Sequence, residues 1–203
     1  MRHGGLVVAL LWIAGALMAQ EAASGHEGTE EAVAKAVDKA RQAASAFTQE
    51  LLATLLSEMR AGGPLRALTV CSVKAQELAR AYSQDGVTVR RVTLKPRNPA
   101  NRPDEVEESQ LVLLAHRWEK GKNATETADW IQEGNRLMVR YMRPITVGNL
   151  CLTCHGPVEK LDPQVRAFLA EHYPEDKAVG YKVGDFRGAV SVTVVEDLGG
   201  SKP

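Results

Sequence analysis

Cysteine is scarce in this chain of 203 residues and occurs only at Cys71, Cys151 and Cys154. A small exported protein that relies on disulfides for its stability carries a larger and even number of cysteines. The odd count therefore argues against a disulfide scaffold and indicates that some of these thiols have another role. The hydrophobic content of 44% is ordinary for a globular protein and supports a real core.

The chain also has no excess of charge of one sign, since Lys and Arg number 25 and Asp and Glu number 25. A strongly basic balance is the usual mark of proteins that bind nucleic acid or anionic membrane surfaces. The composition therefore gives no support to a nucleic-acid partner, and charge identifies no other partner.

Long hydrophobic runs are absent after the N-terminus. Arg2 and His3 precede an apolar run from Leu6 to Ala19, and small residues follow at positions 22–25. The run is shorter than the ~20 residues that a membrane-spanning helix needs. This layout predicts a secretory signal peptide over residues 1–23, with a retained N-terminal anchor as the alternative. We expect an exported, periplasmic protein without a stable membrane span in its mature form.

Two helices are predicted at the start of the mature chain. Apolar residues at steps of three and four predict a helix over residues 27–61, which a glycine pair at 62–63 ends. Pro64 suits the first position of a second helix, Leu65–Tyr82. The apolar spacing of that helix places Cys71 on its buried face.

The remainder of the chain predicts short strands and helices. Strands are predicted over Val87–Leu94, Thr125–Gln132, Arg136–Ile145 and Ala189–Val195. Helices are predicted from Pro103, around Cys151 and over Pro163–His172. The three-proline segment Lys95–Pro103 predicts an irregular loop. The pattern indicates an α+β fold with a small antiparallel sheet, in one domain over residues 64–197.

The segment Cys151-Leu152-Thr153-Cys154-His155 has the C-x-x-C-H spacing of covalent haem attachment. Two thiols three positions apart each add to one vinyl group of a single porphyrin. The histidine beside the second thioether then falls under the iron as its proximal ligand. We therefore predict one covalently bound haem c, with His155 as an iron ligand.

Three other interpretations of this motif are weaker. A thioredoxin-like redox pair would open a helix after a strand, without the adjacent histidine. A structural zinc site would need four ligands, and no second Cys/His pair lies at a suitable spacing. A disulfide across two intervening residues would be strained. Together with the predicted export, the motif favours haem attachment.

The residues alone do not identify the second axial ligand. A methionine on an apolar face is usually a core residue, and the charged helices around the two late histidines indicate solvent exposure. Cys71 differs because its helical phase points inward, although a lone buried cysteine is usually an inert hydrophobic residue. The candidates are Cys71, His116, His172, Met59, Met138 and Met142, with His26 close to the predicted cleavage region.

Several segments together carry a resemblance to a known family. They are Val70-Cys71-Ser72, the loop Leu94–Asn101, Cys151–Gly156, Gly180-Tyr181, Gly184-Asp185 and Arg187-Gly188-Ala189. From about Pro64 to Val195 the chain thereby resembles the haem-binding PAS-like domains, once catalogued as a domain of unknown function. Members occur alone in the periplasm or fused to bacterial signalling modules. The resemblance implies a PAS-like antiparallel sheet, preceded by helices, that holds a covalent haem.

The resemblance also implies ligation of the iron by histidine and cysteine, with Cys71 at the position of the ligating cysteine. An anionic thiolate opposite His155 would stabilise Fe(III) over Fe(II) and lower the reduction potential. Loss of Cys71 on reduction would make the site a redox switch and open a position for a small gas. We expect a redox or gas sensor that acts through a separate redox or signalling protein; a periplasmic electron-transfer cytochrome c is the alternative.

An enzymatic role is not predicted, because a haem enzyme such as a peroxidase needs an open distal site and an acid/base residue beside it. Arginine side chains suit the haem propionates, since a guanidinium group matches a carboxylate. The candidates are Arg97, Arg102, Arg143 and Arg187. Arg97 and Arg187 lie within the family-like segments, so we assign these two to cofactor binding.

Overall fold

The computed structural model describes residues 7–121 and 126–199, with side chains described from residue 28 onward except Ser72. The predicted signal peptide begins with residues 1–6, which lie outside the described residues. The side chains of its remaining positions also lie outside them. The signal peptide therefore stays a prediction.

A long helix, α1 (Val7–Thr69), opens the described chain and is interrupted at a glycine pair. The backbone leaves the helical region at Gly62 and Gly63, and Gly63 has a φ of +71°. An L side chain is strained at such a positive φ, so glycine suits the break. The predicted end of the first helix at this pair is confirmed.

The predicted second helix is not a regular α-helix. Residues 64–69 complete α1, the wider π turn Val70–Lys74 follows, and α2 (Ala75–Ala81) ends the helical stretch. Cys71 lies inside the π turn. Such turns are often found at functional sites, and apolar spacing does not reveal them. The predicted extent of the helix is confirmed within a residue, but its regularity is wrong.

Four antiparallel strands form one sheet in the order β1-β4-β3-β2. They are β1 (Val87–Val92), β2 (Thr127–Glu133), β3 (Arg136–Thr146) and β4 (Phe186–Asp197). Each overlaps a predicted strand; the predicted start of one of them, Thr125, lies outside the described residues. The α+β class with an antiparallel sheet and N-terminal helices is confirmed, and its PAS-like character stays a prediction.

Small side chains bring α1 close to one face of the sheet. Ala36, Ala40, Ala44 and Phe47 are spaced by four and three residues and are fully buried. They pack against alternate residues of β3 and β4, which point to the same face: Leu137, Val139, Tyr141, Val190, Val192 and Val194. This packing holds α1 against the sheet. The same helix then continues toward Met59.

A polar network also joins α1 to the sheet. Arg41 donates hydrogen bonds to Glu126, the closest at 2.6 Å, and the Tyr141 hydroxyl donates to the same carboxylate at 2.8 Å. The hydrogen bond from Arg41 lowers the pKa of Glu126 below its ordinary value. Burial, aided by the hydrogen bond to Glu126, raises the pKa of Tyr141 to about 12.

The opposite face of the sheet is covered by α3 (Glu105–Glu119). Asp104 caps this helix by accepting from the Glu107 backbone N–H, and the Glu107 side chain accepts from the Asp104 backbone N–H in return. Leu111 and Leu114 are fully buried. They form a second core cluster with Val92, Met142 and Ala189.

Short helical segments make up the rest of the described chain. They are the 3-10 turns Pro99–Asn101, Asn149–Cys151 and Val158–Lys160, with α4 (Leu152–His155) and α5 (Pro163–His172). The predicted irregular loop Lys95–Pro103 thus contains one regular turn, because the Asn98 side chain accepts from the Ala100 backbone N–H. Within the described ranges, no helix is both long and apolar enough to cross a membrane.

Candidate functional site

One cavity of about 320 Å³ lies between α1, the sheet and the C-x-x-C-H segment. All six residues predicted to hold the cofactor line it: Cys71, Arg97, Cys151, Cys154, His155 and Arg187. These residues come from parts of the sequence more than 100 positions apart. The structure therefore brings the whole predicted site together.

The body of the cavity is apolar. Phe47, Leu51, Leu55 and Met59 follow one stripe of α1 and form one wall. Further apolar side chains from the second helical stretch, from β3 and the residue after it, and from β4 extend it: Ala67, Leu68, Ile145, Val147 and Val190. Such a lining, with a few polar groups among it, suits an apolar cofactor that carries polar substituents.

The C-x-x-C-H segment is held from two sides. Cys154 packs in a cluster with Leu68 and the apolar face of α5, and Cys151 packs in another with Val147 and Tyr181. Burial raises the pKa of the Cys154 thiol. Cys71, Cys151 and Cys154 are all free thiols, so no disulfide competes for the motif. No group of three or more His, Cys, Asp and Glu side chains suited to a metal ion occurs in the described ranges.

His155 is held in one defined tautomer. Its Nδ1 lies 2.6 Å from the Ala178 carbonyl oxygen, and a carbonyl can only accept, so Nδ1 carries the proton. Burial, with the nearby guanidinium groups of Arg97 and Arg187, holds the pKa of His155 well below its usual range. The neutral ring therefore keeps its Nε2 lone pair for a ligand, while the edge of Tyr181 packs at 6.3 Å between ring centroids.

Arg97 joins the segments around His155. Its Nε donates to Asp176 at 2.9 Å, and its Nη2 donates to the carbonyl oxygens of Cys154 at 2.6 Å and Ala178 at 3.3 Å. Asp176 in turn accepts from the Ala178 backbone N–H at 2.8 Å. Arg97 thus ties the carbonyl that binds His155 to the C-x-x-C-H helix, a role that sequence reasoning missed.

Arg187 is also held by hydrogen bonds and packs against Tyr181. Its Nη1 donates to Thr93 Oγ1 at 2.7 Å and to the Lys95 carbonyl oxygen at 3.2 Å. Its guanidinium carbon lies 5.4 Å from the centroid of the Tyr181 ring. One N–H nitrogen of each arginine, Nη1 of Arg97 and Nε of Arg187, is buried without a hydrogen-bond partner.

Two further arginines line the cavity, whereas Arg102, another candidate for binding the propionates, does not. Arg143 lies in the lining as sequence reasoning allowed, whereas Arg102 pairs with Glu175 on the surface. Arg91 is an addition that sequence reasoning missed, and it also lines a smaller cavity that includes Cys71 and His155. The alternation of β1 does not distinguish a solvent-facing arginine from one that faces a cavity.

The other candidates for the second axial ligand are separated by the fold. Cys71 and Met59 line the cavity. Met142 is buried in the cluster under α3, and His172 is exposed on α5, where its ring stacks on Phe168. Of the remaining candidates, His116 is exposed on α3, Met138 does not line the cavity, and the side chain of His26 lies outside the described residues.

The donor set fits a haem c. Two free thiols beside a neutral imidazole meet the chemical needs of thioether attachment and axial ligation. Two buried guanidinium nitrogens without partners suit a pair of carboxylates, because an unpaired buried N–H is costly. The apolar walls suit the porphyrin ring.

Comparison with known proteins gives one family and one solved structure. The family model described as Tll0287-like matches residues 19–195. The chain is similar to the crystal structure of the cyanobacterial heme-protein Tll0287, with 28% sequence identity and a TM-score of 0.56, over 81% of this chain and 94% of that chain. No match is found among curated proteins. Because the family match covers most of the chain and includes every residue of the site, the chain belongs to the Tll0287-like family.

Proposed function

We propose that the protein is an exported monohaem c-type cytochrome that acts as a periplasmic redox or gas sensor. Cys151 and Cys154 would form the thioether bonds, and His155 and Cys71 would bind the iron. The observation that carries the proposal is the convergence of these four side chains on one cavity. The description of the family's solved member as a heme-protein supports haem as the group bound.

His155 is arranged as metal-binding histidines usually are. Its Nδ1–H bond to the Ala178 carbonyl fixes the ring orientation and increases the basicity of Nε2, which would bind the iron. The haem, when bound, supplies one-electron redox chemistry. The protein supplies a ligand that does not rotate away, because Arg97 holds the carbonyl partner in place.

Arg97 and Arg187 would bind the propionates. Each side chain lines the cavity and has one buried nitrogen without a partner. Carboxylate oxygens would satisfy both nitrogens with charge-assisted hydrogen bonds. Arg91 and Arg143 add positive charge to the same lining and would offset the negative charge of the propionates.

Cys71 supports the sensor role. Its thiolate would favour the ferric state, so that the potential is low and the bond to sulfur is weaker in the ferrous state. Cys71 lies in a π turn that follows a glycine-containing break, and both features interrupt regular helical hydrogen bonding. A helix that is interrupted twice within so short a stretch could move when Cys71 leaves the iron. A separate partner protein would respond to that movement.

Electron transfer is the second candidate function. Leu52 lines the cavity and is 49% exposed, so the cavity reaches the surface at α1. An exposed cofactor edge is what an electron carrier needs. This function requires the same ligands in both oxidation states, whereas the sensor requires loss of Cys71 on reduction.

Covalent attachment is tested by producing the full chain in a periplasm that matures c-type cytochromes. We expect the haem to remain with the polypeptide after denaturation in acid and organic solvent. Replacing both Cys151 and Cys154 with Ala should release it under the same treatment, whereas Cys71→Ala should not. A wild-type polypeptide of unmodified mass would overturn the proposal.

The role is tested by a redox titration followed by absorption and EPR, with CO added to the reduced protein. Loss of a ligand on reduction, together with CO binding, supports the sensor. The same two axial ligands in both oxidation states, without CO binding, support the electron carrier. Identical ferric spectra of the wild type and Cys71→Ala would exclude ligation by Cys71.

A further inference from the structure

Met59 lies on the same stripe of α1 as two leucines that line the cavity. Leu51, Leu55 and Met59 are spaced by four residues, so they share one face of the helix, and all three belong to the cavity lining. Met59 is only partly buried and is absent from the packed core clusters. It therefore faces the cavity rather than filling the core.

The cavity contains no other suitable soft or imidazole ligand among the described side chains, apart from the C-x-x-C-H residues and Cys71. Thioether sulfur is an established axial ligand of haem iron, and the unbranched methionine side chain is flexible enough to reposition its sulfur. Met59 and Cys71 lie on opposite sides of the glycine break at 62–63. The two candidate ligands therefore lie on helical segments that are not joined by continuous helical winding.

We propose that Met59 is a reserve axial ligand, whose thioether binds the haem iron when Cys71 is not bound. This inference rests on the proposed function, since it requires haem in the cavity. A neutral thioether favours ferrous iron more than an anionic thiolate does. Cys71 would therefore bind the iron as an anion and Met59 as a neutral group. The two residues lie on two segments of one helical stretch.

The test compares the spectra of four holoproteins: wild type, Cys71→Ala, Met59→Leu and the double variant. We expect Cys71→Ala to be six-coordinate and low-spin in the ferrous state, with a methionine ligand detected by magnetic circular dichroism. The double variant should be five-coordinate, high-spin and fast to bind CO. Met138→Leu in the Cys71→Ala background is the matched control, because Met138 does not line the cavity, and it should leave the six-coordinate spectrum unchanged.

The outcomes separate this inference from the proposed function. A five-coordinate ferrous Cys71→Ala protein would overturn the role of Met59 while leaving ligation by Cys71 intact. Identical ferric spectra of the wild type and Cys71→Ala would overturn the proposed ligation itself, whereas matching ferrous spectra are expected if Met59 replaces Cys71 on reduction. If Cys71→Ala is not matured, Cys71→Ser serves in its place, with the same criteria.

Discussion

Arg97 and Asp176 form a buried ion pair beside His155, with Nε and Oδ2 at 2.9 Å and side chains 6% and 9% exposed. The two residues are 79 positions apart in the sequence. Both also bind the backbone of Ala178, whose carbonyl accepts from the His155 ring. The pair therefore couples the stability of the fold to the orientation of the proposed iron ligand.

Breaking this pair should destabilise the protein strongly. Asp176→Asn removes the carboxylate charge that the Nε of Arg97 contacts, and loss of one partner of a buried pair costs about 3–5 kcal/mol. Urea unfolding of the holoprotein measures the loss. Arg102→Gln is the matched control, since Arg102 pairs with Glu175 on the surface at 3.4 Å and should change the unfolding free energy by less than about 1 kcal/mol. Equal effects of the two substitutions would contradict the importance of burial here.

Gly188 should tolerate no side chain. It has a φ of +137°, and a Cβ placed there would collide with the Val92 carbonyl oxygen of the neighbouring strand. Gly188→Ala should therefore destabilise the protein by about 2 kcal/mol or more. Gly28→Ala is a control of opposite sign, because Gly28 lies in α1 with no atom near its Cβ position, and alanine is the better helix former. Thermal unfolding followed by circular dichroism compares the two variants, and a neutral Gly188→Ala would refute the steric argument.

The Arg41–Glu126–Tyr141 network should make stability depend on pH in the acid range. The hydrogen bond from Arg41 lowers the pKa of Glu126 in the folded protein. The contribution of the Glu126 carboxylate to the free energy of unfolding is therefore fully present above the ordinary glutamate pKa of about 4.3. It is lost as the pH falls through the lower pKa of the folded protein.

Urea unfolding at about pH 7 and about pH 3 measures this dependence. Glu126→Gln should be less stable than the wild type at the higher pH, and the difference should shrink at the lower pH. Glu159→Gln is the control, because Glu159 is exposed on a surface turn and its effect should be small at both values. A constant difference for Glu126→Gln would show that the carboxylate charge is not what stabilises the network.

Arg187 should raise the reduction potential of the bound haem. A buried cation in the cavity lining favours the ferrous state, which carries one positive charge fewer than the ferric state. Arg187→Gln should therefore lower the potential, and Arg187→Lys should lower it less. A spectroelectrochemical titration measures both, with Arg102→Gln as an unchanged surface control. A rise in potential on Arg187→Gln would contradict this sign.

Much of the site follows from local sequence. The C-x-x-C-H spacing identifies Cys151, Cys154 and His155, and the apolar spacing of the second helix predicts that Cys71 points inward, although the π turn decides that it faces the cavity. The glycine pair at 62–63 also predicts the helix break correctly. These features depend on residues only a few positions apart.

Other features depend on contacts between distant residues and could not be predicted. The Ala178 carbonyl binds the His155 ring directly, and Asp176 binds Arg97, which lies on a loop before α3. Arg91 reaches the cavity because of the order of the strands rather than its place in β1. The irregular helix around Cys71 depends on which neighbours its two halves meet, and this is a property of the tertiary structure.

The π turn at Val70–Lys74 has a consequence for the phase of the helix that carries Cys71. In a continuous α-helix Cys71 would align with Ala75 and Ala79, four and eight positions later, which are buried. A wider turn between them rotates Cys71 away from that stripe, so α2 can face the sheet while the thiol faces the cavity. If the same residues wound as a regular α-helix, the segments on the two sides of the turn would be rotated by about 100° relative to each other. The wider winding at Val70–Lys74 therefore sets which helical face meets the sheet and which meets the cavity.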